Sequence, residues 1–262
     1  MATLNTVLGP IDTAQMGGTM SHVHLTINLL SFYQPPDSAP LRRLSESKIT
    51  LENLGFVRRN ATLVKDNLLQ DDLDMAIREV TEYRLAGGQT LICADLPGIG
   101  RDPLAMQKIS RATGLHIVAS TGWYMQISQP PEVAGKSIEE LAEIMIKEIV
   151  EGIGNTGIKA GNIGELGMLG ASPEEPFQPN EEKVLRAAAR AQKATGVSLT
   201  VHPNAAFGSP QDHLDTYIDI LEMEGANLSK CYMSHMSMFS DVAVPKRVLE
   251  RGLGFVSYDE FG

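Results

Sequence analysis

The sequence predicts an α/β protein with a parallel sheet and crossover helices, an arrangement that a TIM-type (β/α)8 barrel would satisfy, and seven strands are visible in this chain. From about residue 70 onward, short apolar runs alternate with helical stretches, which is typical of a parallel sheet with crossover helices. Most of these runs are apolar on both faces, as expected for strands covered on both sides. The length of 262 residues is compatible with one barrel domain of roughly 250 residues. We therefore expect a single domain over residues 1–262, incomplete at its carboxyl end.

The strands and helices follow from periodicity and capping signals. A small hairpin is expected at 4–12 and a first barrel strand at 17–26. Six more strands are expected at 89–96, 116–123, 160–168, 198–203, 231–236 and 254–261. A helix should follow Ser137, which forms a capping box with Glu140 and can be ended by Gly152. The other helices are expected at 72–86, 102–113, 180–195, 210–225 and 241–252.

Charge and composition exclude several classes of protein. The chain carries 32 acidic and 22 basic side chains, a formal charge of −10. This balance disfavours nucleic acid as a partner, because such affinity comes chiefly from clustered Lys and Arg. No leader pattern and no run of about 18 apolar residues occurs, so we expect a cytoplasmic protein without a membrane partner. Cys93 and Cys231 lie in apolar runs without a CxxC partner, which predicts buried thiols.

Four of the six histidines stand at the ends of predicted strands: His22, His24, His202 and His235. In a parallel barrel these ends converge on one mouth, where active sites are built. A strand projects His22 and His24 to the same face, about 6.6 Å apart along the chain, so both imidazoles can share one metal ion. A single such histidine is more often a core residue bonded to a backbone carbonyl. Four together favour a metal site.

A carboxylate able to bridge two ions is also expected, since binuclear sites usually contain one. Glu165 is the candidate, because it ends an apolar, Gly-rich strand where an unpaired carboxylate would be costly to bury. The alternative is an ordinary salt-bridged glutamate at a strand terminus. Lys159 lies roughly 20 Å of extended chain away and is expected at the far rim. His116 and His213 receive no role.

These motifs resemble a known family. HVH at 22–24, GNIGELG at 161–167, VHP at 201–203, SHM at 234–236 and YDEFG at 258–262 are similar to the phosphotriesterase-related proteins of the amidohydrolase superfamily. The resemblance covers nearly the whole chain and implies a barrel with two divalent ions, commonly zinc. It implies that His22 and His24 hold one ion, that His202 and His235 hold the other, and that Glu165 bridges them.

The chain departs from the family pattern at its carboxyl end. The family supplies a metal-binding aspartate at the end of strand eight, and the sequence ends at Gly262, just past the seventh expected strand. We therefore expect unpaired edges on the first and seventh strands. Asp95 and Asp259 are the strand-end acids that remain. Asp259 could approach the metals from the seventh strand, but we favour a supporting or structural role for it.

The resulting hypothesis is a metal-dependent hydrolase that activates water and attacks a carbonyl or phosphoryl group of a small molecule. Resemblance to the animal branch suggests small N-acyl amino acids such as N-acetyltaurine, and phosphotriesters and lactones stay possible. Trp123, Tyr124 and the Phe32-Tyr33 loop are candidates for the pocket wall. The alternatives are a catalytically silent metal-binding or interaction protein, and a barrel enzyme that uses histidine without metal. A homo-oligomer is compatible with the sequence.

Overall fold

Parallel strands that follow one another in chain order form the centre of the molecule. The computed structural model describes residues 2–172, 174–203 and 211–259, with the side chains of 211 and 212 excepted. After a hairpin of β1 (Thr3–Thr6) and β2 (Gly9–Asp12), the parallel strands are β3 (Thr19–Val23), β4 (Thr90–Cys93), β5 (His116–Val118), β6 (Ser120–Thr121), β7 (Asn162–Gly167), β8 (Ser198–His202), β9 (Cys231–Met233) and β10 (Phe255–Val256). They pair in the orders β3-β4-β5 and β6-β7-β8-β9-β10.

Helices connect the strands as crossovers. They are α1 (Ala39–Ser45), α2 (Leu54–Arg59), α3 (Leu73–Leu85), α4 (Pro103–Thr113), α5 (Ile138–Val150), α6 (Pro179–Thr195), α7 (Gln211–Glu224) and α8 (Ala243–Glu250). From β4 onward the described elements repeat as strand, helix, parallel strand, which is the predicted α/β barrel pattern. The long connection between β3 and β4 contains α1 to α3, as expected for a segment of that length.

The hydrophobic core lies between the sheet and its helices. All four residues of β4 and all six of β7 are buried, because parallel strands are covered on both faces. On α5, Leu141 and Met145 are completely buried in this core. Each contributes about 2–3 kcal/mol through removal of its apolar surface from water. The core therefore fixes the strands whose ends carry the predicted site.

The hairpin packs at the amino-terminal end of the barrel. The side-chain amide of Asn5 donates to the carbonyl oxygens of Ala160, at 3.0 Å, and Ile149, at 3.2 Å. The backbone N–H of Val7 donates to the carbonyl of Ile117. The predicted hairpin is confirmed, and it lies opposite the carboxyl ends of the strands. Lys159 lines a surface cavity beside this hairpin, at the predicted far rim.

Some boundaries differ from the prediction for local reasons. The expected strand 116–123 is interrupted at Ala119, which separates β5 from β6. The expected strand 231–236 ends at Met233, because His235 adopts a left-handed backbone with φ 56° and starts a short 3-10 turn. Helix α6 begins one residue before Asn180, because Gln178 rather than Asn180 is its N-cap. Residues 260–261 of the expected last strand lie outside the described part.

Side chains connect β3 to β9 and to the residue that follows β10. In the described part of the chain no strand ladder links β3 to β10. The hydroxyl oxygens of Ser21 and Ser257 are 3.1 Å apart, and the Tyr232 hydroxyl donates to the carbonyl of Ser21 at 2.8 Å. The expected incompleteness of the barrel stays a prediction.

None of the described helices combines the length and apolar character needed to cross a bilayer.

Candidate metal centre

Five side chains from four separated parts of the sequence meet at the carboxyl ends of the strands. His22 lies in β3 and His24 directly after it, Glu165 lies in β7, His202 ends β8, and His235 follows β9. These are the five residues proposed as ligands from the sequence, and the fold brings all of them together. Whether they hold ions stays a prediction that the geometry below supports.

The first group of ligand atoms surrounds one oxygen of Glu165. The Nε2 atoms of His22 and His24 are 3.3 Å apart. They lie 3.3 Å and 3.2 Å, respectively, from Oε1 of Glu165. A tetrahedral zinc ion with bonds of 2.0–2.1 Å separates its ligands by about 3.3 Å. Both nitrogens and the oxygen therefore have the mutual spacing of ligands around one such ion.

The second group surrounds the other oxygen of Glu165. The Nδ1 atom of His202 lies 2.9 Å from Oε2, and the Nε2 atom of His235 lies 3.3 Å from it. One carboxylate thus faces two pairs of imidazoles, one pair through each oxygen. Both groups belong to sets whose possible ligand atoms all lie within 4.8 Å of one another. Histidine nitrogens and a carboxylate at this spacing fit the ligand chemistry of a divalent cation.

The position of Glu165 depends on an irregularity in β7. The register between β7 and β8 shifts between Ile163 and Leu166, so the glutamate does not follow the regular alternation of the strand. Gly164 has a φ of +99°, and a Cβ there would overlap the carbonyl oxygen of Thr200. Only glycine is compatible with this close approach. The Gly-Glu pair therefore directs the carboxylate into the cluster.

Two further carboxylates hold the histidines from outside. Asp95, completely buried at the end of β4, lies 2.8 Å from Nδ1 of His24 and also accepts the backbone N–H groups of Leu25 and Thr26. Asp259 lies 2.8 Å from Nδ1 of His235. Such outer partners fix the tautomer of a metal-binding histidine. The sequence marked both residues only as strand-end acids, because their contacts depend on the folded geometry.

Burial and charge act against each other in this cluster. Burial disfavours the charged form of His24, but hydrogen bonds to Asp95 and Glu165 outweigh it and raise the pKa of His24 to about 10. Burial is likewise outweighed at His235, where hydrogen bonds to Asp259 and Glu165 raise the pKa to about 10. Burial opposes ionisation of Glu165, yet the charges of His202 and His22 hold its pKa well below the usual range. Cations and protons therefore compete for these imidazoles.

The cluster opens into a cavity of about 370 Å³. Its apolar wall includes Ile27, Leu29 and Ile99. Tyr124 also lines it, with its hydroxyl 3.3 Å from Nε2 of His202, and Phe32 packs against the Tyr124 ring at 6.2 Å. A buried Trp123 belongs instead to the hydrophobic core. Of the predicted wall aromatics, the structure thus places Tyr124 at the cavity.

The two histidines without a predicted role lie elsewhere. His116 opens β5, at the amino-terminal end of that strand. His213 is buried in the first turn of α7. Neither belongs to the groups of described residues that could hold a metal ion.

The fold and the site define a β/α-barrel protein with a centre of histidines and carboxylates at the carboxyl ends of its strands. The model of the Phosphotriesterase family matches residues 2–262, and the chain belongs to this family. The predicted family and the predicted TIM-barrel fold are thereby confirmed.

Named relatives agree with this assignment. The N-acetyltaurine hydrolase of Xenopus tropicalis is 33% identical over 99% of this chain and 72% of its own length. The Phosphotriesterase-related protein of Nematostella vectensis is 35% identical over 88% of this chain and 64% of its own. The crystal structure of a Resiniferatoxin-binding protein from Rhodobacter sphaeroides has a TM-score of 0.92 and 34% identity, covering 99% of this chain and 70% of that one.

The chain spans 64% to 72% of the length of these curated relatives. Relatives named as hydrolases support the prediction of an enzyme by family resemblance.

Proposed function

We propose that this chain carries a metal centre of two divalent ions, with zinc favoured by the imidazole donors, and that it hydrolyses an amide or ester bond of a small molecule. The observation that carries the proposal is the position of the Glu165 carboxylate. Each of its two oxygens faces a separate pair of histidines. His22 and His24 would hold one ion, His202 and His235 the other. When bound, such ions activate water and polarise the bond to be hydrolysed.

The donor set fits cations for a second reason. Glu165 has 1% of its side chain exposed, and among the described residues its ion pairs are with imidazoles alone. A buried carboxylate needs a compensating positive charge. In this cluster that charge can come from protonated histidine or from bound cations, and metal ions replace the protons as pH rises.

The remaining residues shape the substrate site. The side chains of Ile27, Leu29 and Ile99 give one side of the cavity an apolar surface. Tyr124 presents a hydroxyl beside His202, where it can donate to an oxygen of the substrate. A neutral acyl group of a few carbons suits this combination of an apolar wall and a phenolic donor.

Small N-acyl amino acids are the first substrates to test, since relatives 32–33% identical to this chain are named N-acetyltaurine hydrolases. Lactones and phosphotriesters are the other candidates. The substrate is a small molecule in each case, and we propose a cytoplasmic setting, which agrees with two free buried thiols, Cys93 and Cys231.

The test uses the purified chain, stripped with a chelator and reloaded with zinc. Hydrolysis of N-acetyltaurine, other N-acetyl amino acids, a lactone and a phosphotriester is then followed, with Glu165→Gln as the control variant. Turnover that requires the metal and Glu165 supports the proposal. A folded chain that binds zinc and cleaves none of these classes would instead be a silent metal-binding protein. Turnover unchanged by chelation would favour histidine chemistry without metal.

A further inference from the structure

Asp259 contacts one histidine from each half of the centre. Its Oδ1 atom lies 2.8 Å from Nδ1 of His235 and accepts the backbone N–H of His235 at 3.0 Å. Its Oδ2 atom lies 3.4 Å from Nδ1 of His22. His22 faces one oxygen of Glu165 and His235 faces the other. Asp259 thus contacts the outer nitrogen of one histidine from each proposed ion site.

The contact between Asp259 and His22 involves two buried polar atoms. Both Oδ2 of Asp259 and Nδ1 of His22 are buried, and neither has a hydrogen-bond partner among the described residues. An imidazole N–H and a carboxylate oxygen satisfy each other on a small movement of either side chain. A proton on Nδ1 leaves Nε2 of His22 with its lone pair directed at the Glu165 oxygen.

The contact with His235 also fixes its backbone. His235 has a φ of 56°, a left-handed conformation that is uncommon for residues other than glycine. Asp259 holds both the backbone and the ring of this residue through one oxygen. The ring nitrogen Nε2 of His235 is thereby directed at Glu165, at 3.3 Å.

We propose that Asp259 is a positioning residue shared by both ion sites, which sets the tautomer of His22 and His235 together and so couples the affinities of the two ions. The inference rests on the proposed metal centre. Asp95 provides the contrast, because among the described residues its contact within the cluster is with His24 alone. Loss of Asp259 should therefore weaken both sites, and loss of Asp95 should weaken one.

The experiment is a zinc titration of the chelator-stripped protein against a competing dye, resolving two binding constants. In Asp259→Asn the charge is lost, one ring faces an amide N–H₂ and the other a neutral amide oxygen, so both rings lose the carboxylate that sets their tautomer. Both constants are expected to fall about 10–100-fold, the usual effect of losing an outer partner. In Asp95→Asn one constant should fall by that factor and the other should change less than threefold. Asp259→Glu, which keeps the charge and the acceptors, should restore part of both affinities.

Three results would overturn the inference. One is wild-type affinity for both ions in Asp259→Asn, and another is weakening of a single site in that variant. The third is a large loss of thermal stability in both stripped Asp259 variants, with no such loss in stripped Asp95→Asn. That result would assign Asp259 a role in the fold instead. A wild-type chain that binds no zinc would instead refute the metal centre itself, and the inference with it.

Discussion

Replacing Glu148 with alanine should destabilise the protein by about 3–5 kcal/mol, because it leaves a buried guanidinium without its partner. Arg101 donates to both oxygens of Glu148, at 2.6 Å and 2.8 Å, with 10% and 14% of the two side chains exposed. Glu148 also accepts the hydroxyl of Thr121 at 2.6 Å, and Arg101 donates to the carbonyl of Ser120. The pair ties α5 to β6 and to the loop after β4.

The expected shift in melting temperature follows from the size of the chain. An unfolding entropy of about 2.1 cal/mol/K per residue gives about 0.55 kcal/mol/K for a chain of this length. A loss of 3–5 kcal/mol therefore lowers the melting temperature by about 5–9 °C. Differential scanning calorimetry and urea unfolding of the chelator-stripped protein measure this change without interference from bound ions.

The matched control lies at the carboxyl end of the same helix, where Glu151 is the C-cap. Lys147 and Glu151 form an exposed pair at 3.9 Å, with 69% and 67% of their side chains in solvent. Glu151→Ala should change stability by less than about 0.5 kcal/mol. A loss below about 1 kcal/mol in Glu148→Ala, or equal losses in both variants, would refute the reasoning from burial.

Three other perturbations test the site and its surroundings. Glu165→Gln should lower zinc content below two ions per chain and reduce turnover at least about a hundredfold, because the amide N–H₂ repels one group of ligands. Metal analysis and initial rates measure these changes. Unchanged metal content would contradict the prediction. The pKa of His24 and of His235 is raised to about 10 from 6.5 in the absence of ions. The contribution of these two imidazoles to the stability of the fold is therefore complete below pH 6.5 and lost as the pH rises towards 10. The stripped protein should unfold more easily over that range than zinc-loaded protein. Equal pH profiles of unfolding stability would contradict this. Glu181→Ala should lower the free energy of unfolding by about 3 kcal/mol or more. The buried carboxylate of Glu181 accepts the backbone N–H groups of Gln126, Leu169, Gly170 and Gln178. Urea unfolding measures the loss, and near-normal stability would contradict the prediction.

Local signals were sufficient for much of the fold. The helix after Ser137 has the predicted capping box and ends at Val150, because the cap, the apolar stripe and the following glycine all agree. Strand β7 was recognised from its apolar, Gly-rich run. The break at Ala119 was not foreseen, since it arises from pairing with different neighbours on the two sides.

The candidate site was predictable where it depends on residue type and topology. Histidines at the ends of parallel strands must converge, and His22, His24, His202 and His235 do so. The outer contacts of Asp95 and Asp259 could not be read from spacing, because they join β4 and the segment after β10 to other strands. The bulge that aims Glu165 depends on register between β7 and β8, which the sequence of one strand does not specify.

The central claim is that two cations share Glu165 between two pairs of histidines. The most direct measurement is the metal content of the purified, zinc-saturated chain, compared with a variant in which His22 and His24 are both alanine. The account predicts about two ions per chain in the wild type and about one in the variant. A folded wild-type chain without bound zinc, or a variant that retains both ions, would contradict it.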